Sequence, residues 1–357
     1  MKRLLAVVAA GLLVFSIAGC TSKKGFQTRT DVITIPLVTW GGYAALFAAN
    51  GGAKPTEDSL FYKNGKFKVA LVQEENPANQ LQGFANGTYG IIWSTMDMLP
   101  LLYDTLSKDT RTIPKVIGIF DYSAGGDGII VRGKIKSGKE LKGKKIVTSQ
   151  YTPSHYFILW FLKQSGLSQK DVTMIFAADA IAAKDTFIND ASIDACVTWS
   201  PFIYDITDAK KTTYVKGTTL LTTSAPGNPA HGLIADVYIT SAEMVEKHPE
   251  IIDAFVASMI EGYDVFNKDQ TKVAGQIADL FGIKGGADEV KLMFGDVVIA
   301  GKKENKQFFA KAGASSASAI FDLSTELYKN NGDVLPASFS VDASKVLYSD
   351  AMLKVIK

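Results

Sequence analysis

Cysteine and histidine are scarce in this chain, with two cysteines and three histidines among 357 residues. None stands at a metal-ligand spacing from another, so no metal site is expected. Also missing are a nucleophile beside its base, a phosphate-cradling loop and a dinucleotide fingerprint, which speaks against an enzyme and against a bound cofactor. No basic stripe interleaved with aromatics occurs, which argues against nucleic acid as a partner. Internal repeats and low-complexity stretches are lacking, so a solenoid is not expected.

What is present suits a folded, exported protein. Apolar residues make up 47% of the chain, enough for two domains or one large one with real cores. Lys2 and Arg3 precede the apolar run Leu4–Phe15, which ends at Ile17-Ala18-Gly19-Cys20. The run is short of the ~20 residues that span a bilayer. Small residues ahead of a cysteine fit cleavage before Cys20 and lipidation of its thiol. Residues 1–19 are therefore expected to be a lipoprotein signal, and 20–30 a polar tether. Their removal takes away two basic residues and leaves 36 basic against 36 acidic ones. With Cys20 lipidated, no internal disulfide remains, and Cys196 in Ile193–Trp199 reads as a buried strand residue.

Short apolar strands alternate with helical periodicity from Val32 to Trp199, which predicts parallel sheets covered by helices on both faces. Strands are expected at 32–38, 68–73, 90–94, 115–120, 129–132, 146–147, 171–176, 195–199 and 233–239. Residues 211–229, rich in Thr, Gly and Pro, read as a return loop. From Ser241 onward the pattern is helical: 241–247, 249–266, 270–281, 287–298 and 316–330. A chain that leaves one globular half near 120–130 and returns near 230–236 predicts two lobes with a cleft at the hinge. Lobe 1 is expected over 31–127 plus 233–357, and lobe 2 over 128–232.

Several segments, taken in order, carry a resemblance. They are Asn86-Gly-Thr-Tyr-Gly-Ile-Ile-Trp-Ser94, Ser123-Ala-Gly-Gly-Asp-Gly128, Glu140-Leu-Lys-Gly-Lys-Lys-Ile146, Ile193-Asp-Ala-Cys-Val-Thr-Trp-Ser-Pro201, Ala235-Asp-Val237, His248-Pro-Glu250 and Asn305-Lys-Gln-Phe-Phe309. Together they resemble solute-binding proteins of the nitrate/sulfonate/taurine and thiamine-pyrimidine-precursor class, which serve ABC importers. The resemblance implies a type II periplasmic-binding-protein fold, an ABC permease as partner and a small solute held between the lobes. It implies a lipid-anchored protein facing the periplasm or the extracellular side. Carried onto this chain, it implies ligand contacts from Trp40, Tyr43, Ser94, Thr95, Asp97, Asp121, Ser123, Asp127, Tyr151, Thr152, Ser154, His155, Trp199 and Asp236. A pyrimidine-precursor enzyme on the same fold and a sensory or scaffold lipoprotein are the alternatives. Where relatives often carry one alanine, Gly125-Gly126-Asp127-Gly128 leaves more room or more flexibility.

Each residue type has a physical reason to be there and a plainer alternative. Trp40 and Trp199 offer flat walls able to face an ammonium, or else fill a core. Trp93, inside a strand, reads as core. Asp97 either contacts ligand or caps a helix. Asp127 either meets a cationic group or locks the crossing, and Asp236 needs a partner wherever it lies. Thr152 and Ser154 flank the free N–H groups of a helix start, a fit to an oxyanion or a plain N-cap. Tyr43, Tyr151 and His155 are rings with a polar end, His231 lies beside the return crossing, and His248 reads as structural. The expected solute is taurine-like, amine-bearing, or a pyrimidine or other aromatic heterocycle; a bare anion fits less well, because no Arg or Lys is aimed at the cleft.

Overall fold

A computed structural model describes residues 30–356; the signal segment, Cys20 and nearly all of the tether lie outside the described residues. Among the described residues, eleven strands form three sheets. β1 (Val32–Leu37) and β2 (Lys68–Gln73) pair in parallel. A second sheet holds β3 (Ile91–Thr95), β4 (Pro114–Ser123), β10 (Ala235–Ser241) and β11 (Val297–Ile299) in the order β11-β4-β10-β3. The third holds β5 (Asp127–Arg132), β6 (Lys145–Ser149), β7 (Thr173–Ala177), β8 (Ala195–Trp199) and β9 (Thr218–Thr223) in the order β7-β6-β8-β5-β9.

The chain crosses between the second and third sheets at 124–126 and returns at 224–234. This geometry corrects the expectation of parallel sheets. β10 runs antiparallel to both β3 and β4, and β5 runs antiparallel to both β8 and β9. Strands that carry the chain into and out of a sheet reverse against their neighbours; only β1–β2 and β6–β7–β8 keep the parallel pairing of β-helix-β units. The expected return loop contains β9, whose Thr-Thr-Leu-Leu-Thr-Thr edge lacks a clean apolar alternation. The helix expected over 287–298 stops at Phe294, and Val297–Ile299 forms β11 instead.

Alternation along the strands explains why the third sheet is covered twice. Ile129, Val131, Ile146, Ala195 and Val197 face one core with the helix Pro153–Gln164. Ile130, Val147 and Cys196 face the other, with Ala183 and Phe187 of the helix Ala180–Asn189. Cys196 is fully buried, as its strand position implied. The C-terminal region divides between the lobes rather than joining lobe 1 alone. Ala317, Ile320 and Phe321 pack in the lobe 1 core with Ile91, Ile117 and Val237, whereas Leu327 and Tyr328 of the same helix, with Leu335 and Phe339, pack beside Ile129 and the helix Pro153–Gln164. No helix among the described residues is long and apolar enough to cross a membrane.

Candidate functional site

The site grows from the ends of β3, β4 and β10 in one lobe and of β5 and β8 in the other. A bulge decides its first feature. Val237 pairs with Ile119 but Asp236 pairs with Asp121, so Phe120 is the extra residue on β4. Directly opposed residues of an antiparallel pair point to the same face, so the bulge brings the two carboxyls together. On the other flank of β10, Thr95 opposes Asp236 and Trp93 opposes Tyr238. Trp93 and Asp236 are thus diagonal neighbours on that face, and the indole N–H of Trp93 donates to Asp236 Oδ1 at 2.6 Å. Trp40, after β1, donates its indole N–H to Asp121 Oδ2 at 3.0 Å.

Two glycines make this arrangement possible. A Cβ on Gly42 would lie 1.7 Å from Asp121 Oδ2 and 2.5 Å from Trp40 Nε1. A Cβ on Gly126 would lie 2.2 Å from Trp40 Cη2. The space opened by the glycine string at the crossing is thus filled at Gly126 by the ring of Trp40.

Burial and charge set the acids apart from ordinary carboxyls. Asp121 is pushed up to about 7 by burial, with Asp127 adding to the rise and the Trp40 indole and Asp236 opposing it. Asp236 is raised well above the carboxylate range, first by burial and then by the charge of Asp121. Asp236 thus holds a proton more tightly than Asp121 does, because each charge raises the cost of the other. Asp127 is also pushed up to about 7 by burial, against the Ser123 hydroxyl, with Asp296 adding to the rise. Its Oδ1 is buried and has no hydrogen-bond partner.

Asp127 opposes Trp199 across β5 and β8, which puts both on one face. Trp199 reaches the other lobe, donating its indole N–H to the Thr39 carbonyl at 2.9 Å. Between the lobes lies a narrow cavity lined by Val38, Trp40, Trp93, Asp127, Pro153, Trp199, Ile234 and Asp236. Four expected site residues, Trp40, Asp127, Trp199 and Asp236, meet there, and Asp121 stands behind Trp40 and Asp236.

The other expected residues fall elsewhere. Tyr43 is buried among Phe120 and Phe281 in the lobe 1 core. Ser94 donates to the Thr95 carbonyl, and Ser123 pairs with Ser224 at 2.7 Å across the crossings. Asp97 is fully buried and pushed up to about 7 by desolvation, with the Thr95 and Tyr328 hydroxyls opposing the rise. Tyr151 is 45% exposed. Thr152 donates to the Ser149 carbonyl, while Ser154 Oγ is buried without a partner. His155 is fully buried, joined to Gln169 at 3.0 Å and packed edge-on against Phe176; desolvation lowers it to about 4 and keeps it neutral. His231 Nδ1 lies 3.2 Å from the Ser224 carbonyl, beside the return crossing.

Two participants were not expected. Trp93, read as core, lines the cavity; its position two residues before Thr95 on the same strand face was the available signal. Asp296, in the turn before β11, accepts hydrogen bonds from Ser200 Oγ at 2.6 Å and from the Tyr204 hydroxyl, across the lobes. Nearby, Lys211 reaches Glu289 at 2.5 Å. These contacts tie the two lobes together. Asp296→Ala should release Ser200 and Tyr204 while keeping the Asp296 carbonyl bonds to the Ala124 and Gly126 N–H groups. The expected result is a larger radius of gyration by small-angle scattering; an unchanged radius would show that Asp296 is no latch.

The family model described as NMT1/THI5 like matches residues 57–272, more than half of the chain. Over 169 residues the chain is 25% identical to the taurine-binding periplasmic protein of Escherichia coli K12, covering 45% of this chain and 49% of the relative. The chain thus spans about half the length of that curated relative. The fold is similar to the periplasmic aliphatic sulphonate-binding protein of Escherichia coli, with TM-score 0.66 and 16% identity over 90% of this chain and 93% of the other. It is also similar to the alkanesulfonate-binding protein of Xanthomonas axonopodis pv. citri, solved bound to MOPS, with TM-score 0.64 and 14% identity over 90% and 100% of the two chains.

Proposed function

The chain belongs to the NMT1/THI5-like family, and from that premise we propose that it is the solute-binding receptor of an ABC importer. It captures a small organic solute by lobe closure and delivers it to the membrane permease. The observation that carries this reading is the cavity at the chain crossings, walled by Trp40, Trp93 and Asp236 from one lobe and Asp127 and Trp199 from the other. A taurine-binding relative and two sulphonate-binding structures on the same fold support a solute of that size. The cysteine at position 196 is fully buried, and desolvation pushes its thiol far up, away from the reactive thiolate.

The tether and lipidated Cys20 expected from the sequence place the receptor on the outer side of a membrane, within reach of its permease. Closure excludes water and strengthens the polar contacts. Release then requires a permease that binds the open form better, since a partner shifts a population only through differential affinity.

Two measurements test this. Protein stripped of carried-over solute by unfolding and refolding should gain melting temperature and contract when its solute is added. Trp199→Ala, which removes one wall and the bond to Thr39, should weaken affinity by about tenfold or more, the effect of truncating a buried aromatic anchor. Unchanged affinity in a variant of native circular dichroism would remove Trp199 from the site.

A further inference from the structure

We propose that the solute held in this cleft is a compact organic cation, its charge set against Asp127 and Asp236 and its body between the indoles of Trp40, Trp93 and Trp199. The inference rests on the receptor reading and narrows its solute class.

The charge inventory of the cavity is one-sided. Asp127 and Asp236 line it, Asp121 stands directly behind, and no Lys or Arg is among the lining residues. Asp296 acts on Asp127, and Asp127 in turn acts on Asp121 and Asp97, so the charges acting within this cluster share one sign. A sulfonate entering here adds a negative charge to buried acids. A cation relieves them.

Asp127 supplies the second observation. It is 3% exposed, and its Oδ1 accepts no hydrogen bond from any group of the protein. A buried carboxylate oxygen without a donor is costly, so the position calls for a donor from outside the chain. An ammonium provides both the donor and the opposite charge. Other buried oxygens without a partner exist, among them the hydroxyls of Thr95, Ser149, Ser154 and Thr198 and carboxyl oxygens of Asp97 and Asp121, but none of these residues lines the cavity.

The walls agree. The indole N–H groups of Trp40, Trp93 and Trp199 are all engaged, by Asp121, Asp236 and the Thr39 carbonyl respectively. What the three rings can offer a solute is their π faces, which attract cations. Nor are the acids gathered for a metal ion, since no group of three or more such ligands occurs among the described residues.

The test titrates stripped full-length protein with benzylammonium, taurine and ethanesulfonate, following melting temperature and heat in two buffers of different ionisation enthalpy. Benzylammonium should bind at least about tenfold more tightly than ethanesulfonate, with release of protons from the buried acids. Asp127→Asn should cut that affinity by about tenfold or more. If this variant does not fold, the proton count of the unmodified protein decides the matter. Tighter binding of ethanesulfonate, with proton uptake, overturns the cation inference and leaves the receptor reading in place. Failure of all three solutes overturns the inference and withdraws support from the receptor reading as well.

Discussion

Raising the pH from 4 to 8 is expected to destabilise the solute-free protein by several kcal/mol. Asp97, Asp121 and Asp127 are each held up to about 7 by burial, and Asp236 is raised further. In the unfolded chain the same groups titrate near ~3.9. Below pH 4 both states are protonated and the contribution is complete. Between 4 and 7 the folded state binds more protons, so stability falls as the pH rises. A shift of three units corresponds to about 4 kcal/mol for a group standing alone, with Asp121 and Asp236 titrating as a pair.

His155 works in the opposite sense. Lowered to about 4, it destabilises the fold as the pH drops from its unfolded value, near ~6.5, through 4. It is one group against four, so the net slope stays negative up to pH 7. Surface acids held low, such as Asp171 and Asp190, act only at more acidic pH. Denaturant midpoints from pH 5 to 8 at fixed ionic strength would check the sign. Asp97→Asn, outside the cavity, should flatten the slope by about one group's share. A profile that rises across this window would show that these carboxyls are ionised in the folded protein.

Gly126→Ala is expected to cost about 1–3 kcal/mol, the usual range for forcing a carbon into a filled site, and to weaken solute binding. Its Cβ would meet Trp40 Cη2 at 2.2 Å and Cζ3 at 2.7 Å, atoms that phenylalanine lacks. In a Trp40→Phe background the same glycine change should therefore cost much less. A coupling of at least about 1 kcal/mol between the two positions is expected from chemical denaturation of all four proteins. Additive effects would mean that Trp40 does not occupy the space over Gly126. Trp40→Phe alone also removes the indole donor from Asp121, which should show as weaker solute binding.

Much of the architecture was legible. Period-2 runs such as Ile129–Val131 and helix starts such as Thr152-Pro153 announce themselves locally, because each element's character depends on its own few residues. Strand direction did not, since an apolar run reads alike in parallel and antiparallel pairing. β9 escaped because a threonine-rich edge carries little apolar contrast. Of the residues that line the candidate site, Trp40, Asp127, Trp199 and Asp236 were legible as polar or aromatic residues at strand ends or turns. Trp93 was not, because its role depends on which residue β10 sets diagonally opposite it. Tyr151 and His155 occupy a helix start that looks like a ligand loop. Yet the tyrosine is exposed, and the histidine is buried against Gln169 and Phe176.

Local residue pattern was enough to read an α/β chain of alternating short elements, two crossings between halves, and an acidic, tryptophan-bearing middle without a metal or nucleophile motif. Which acids meet depends on how the distant strands pair. The bulge at Phe120 brings Asp121 onto the face of Asp236, and Asp296 reaches Ser200 and Tyr204 across the lobes. Composition and periodicity act over a few residues. Register, bulges and closure bring together groups more than ninety positions apart, such as Asp121 and Asp236, and it is that proximity, with water excluded, that gives these carboxyls their character.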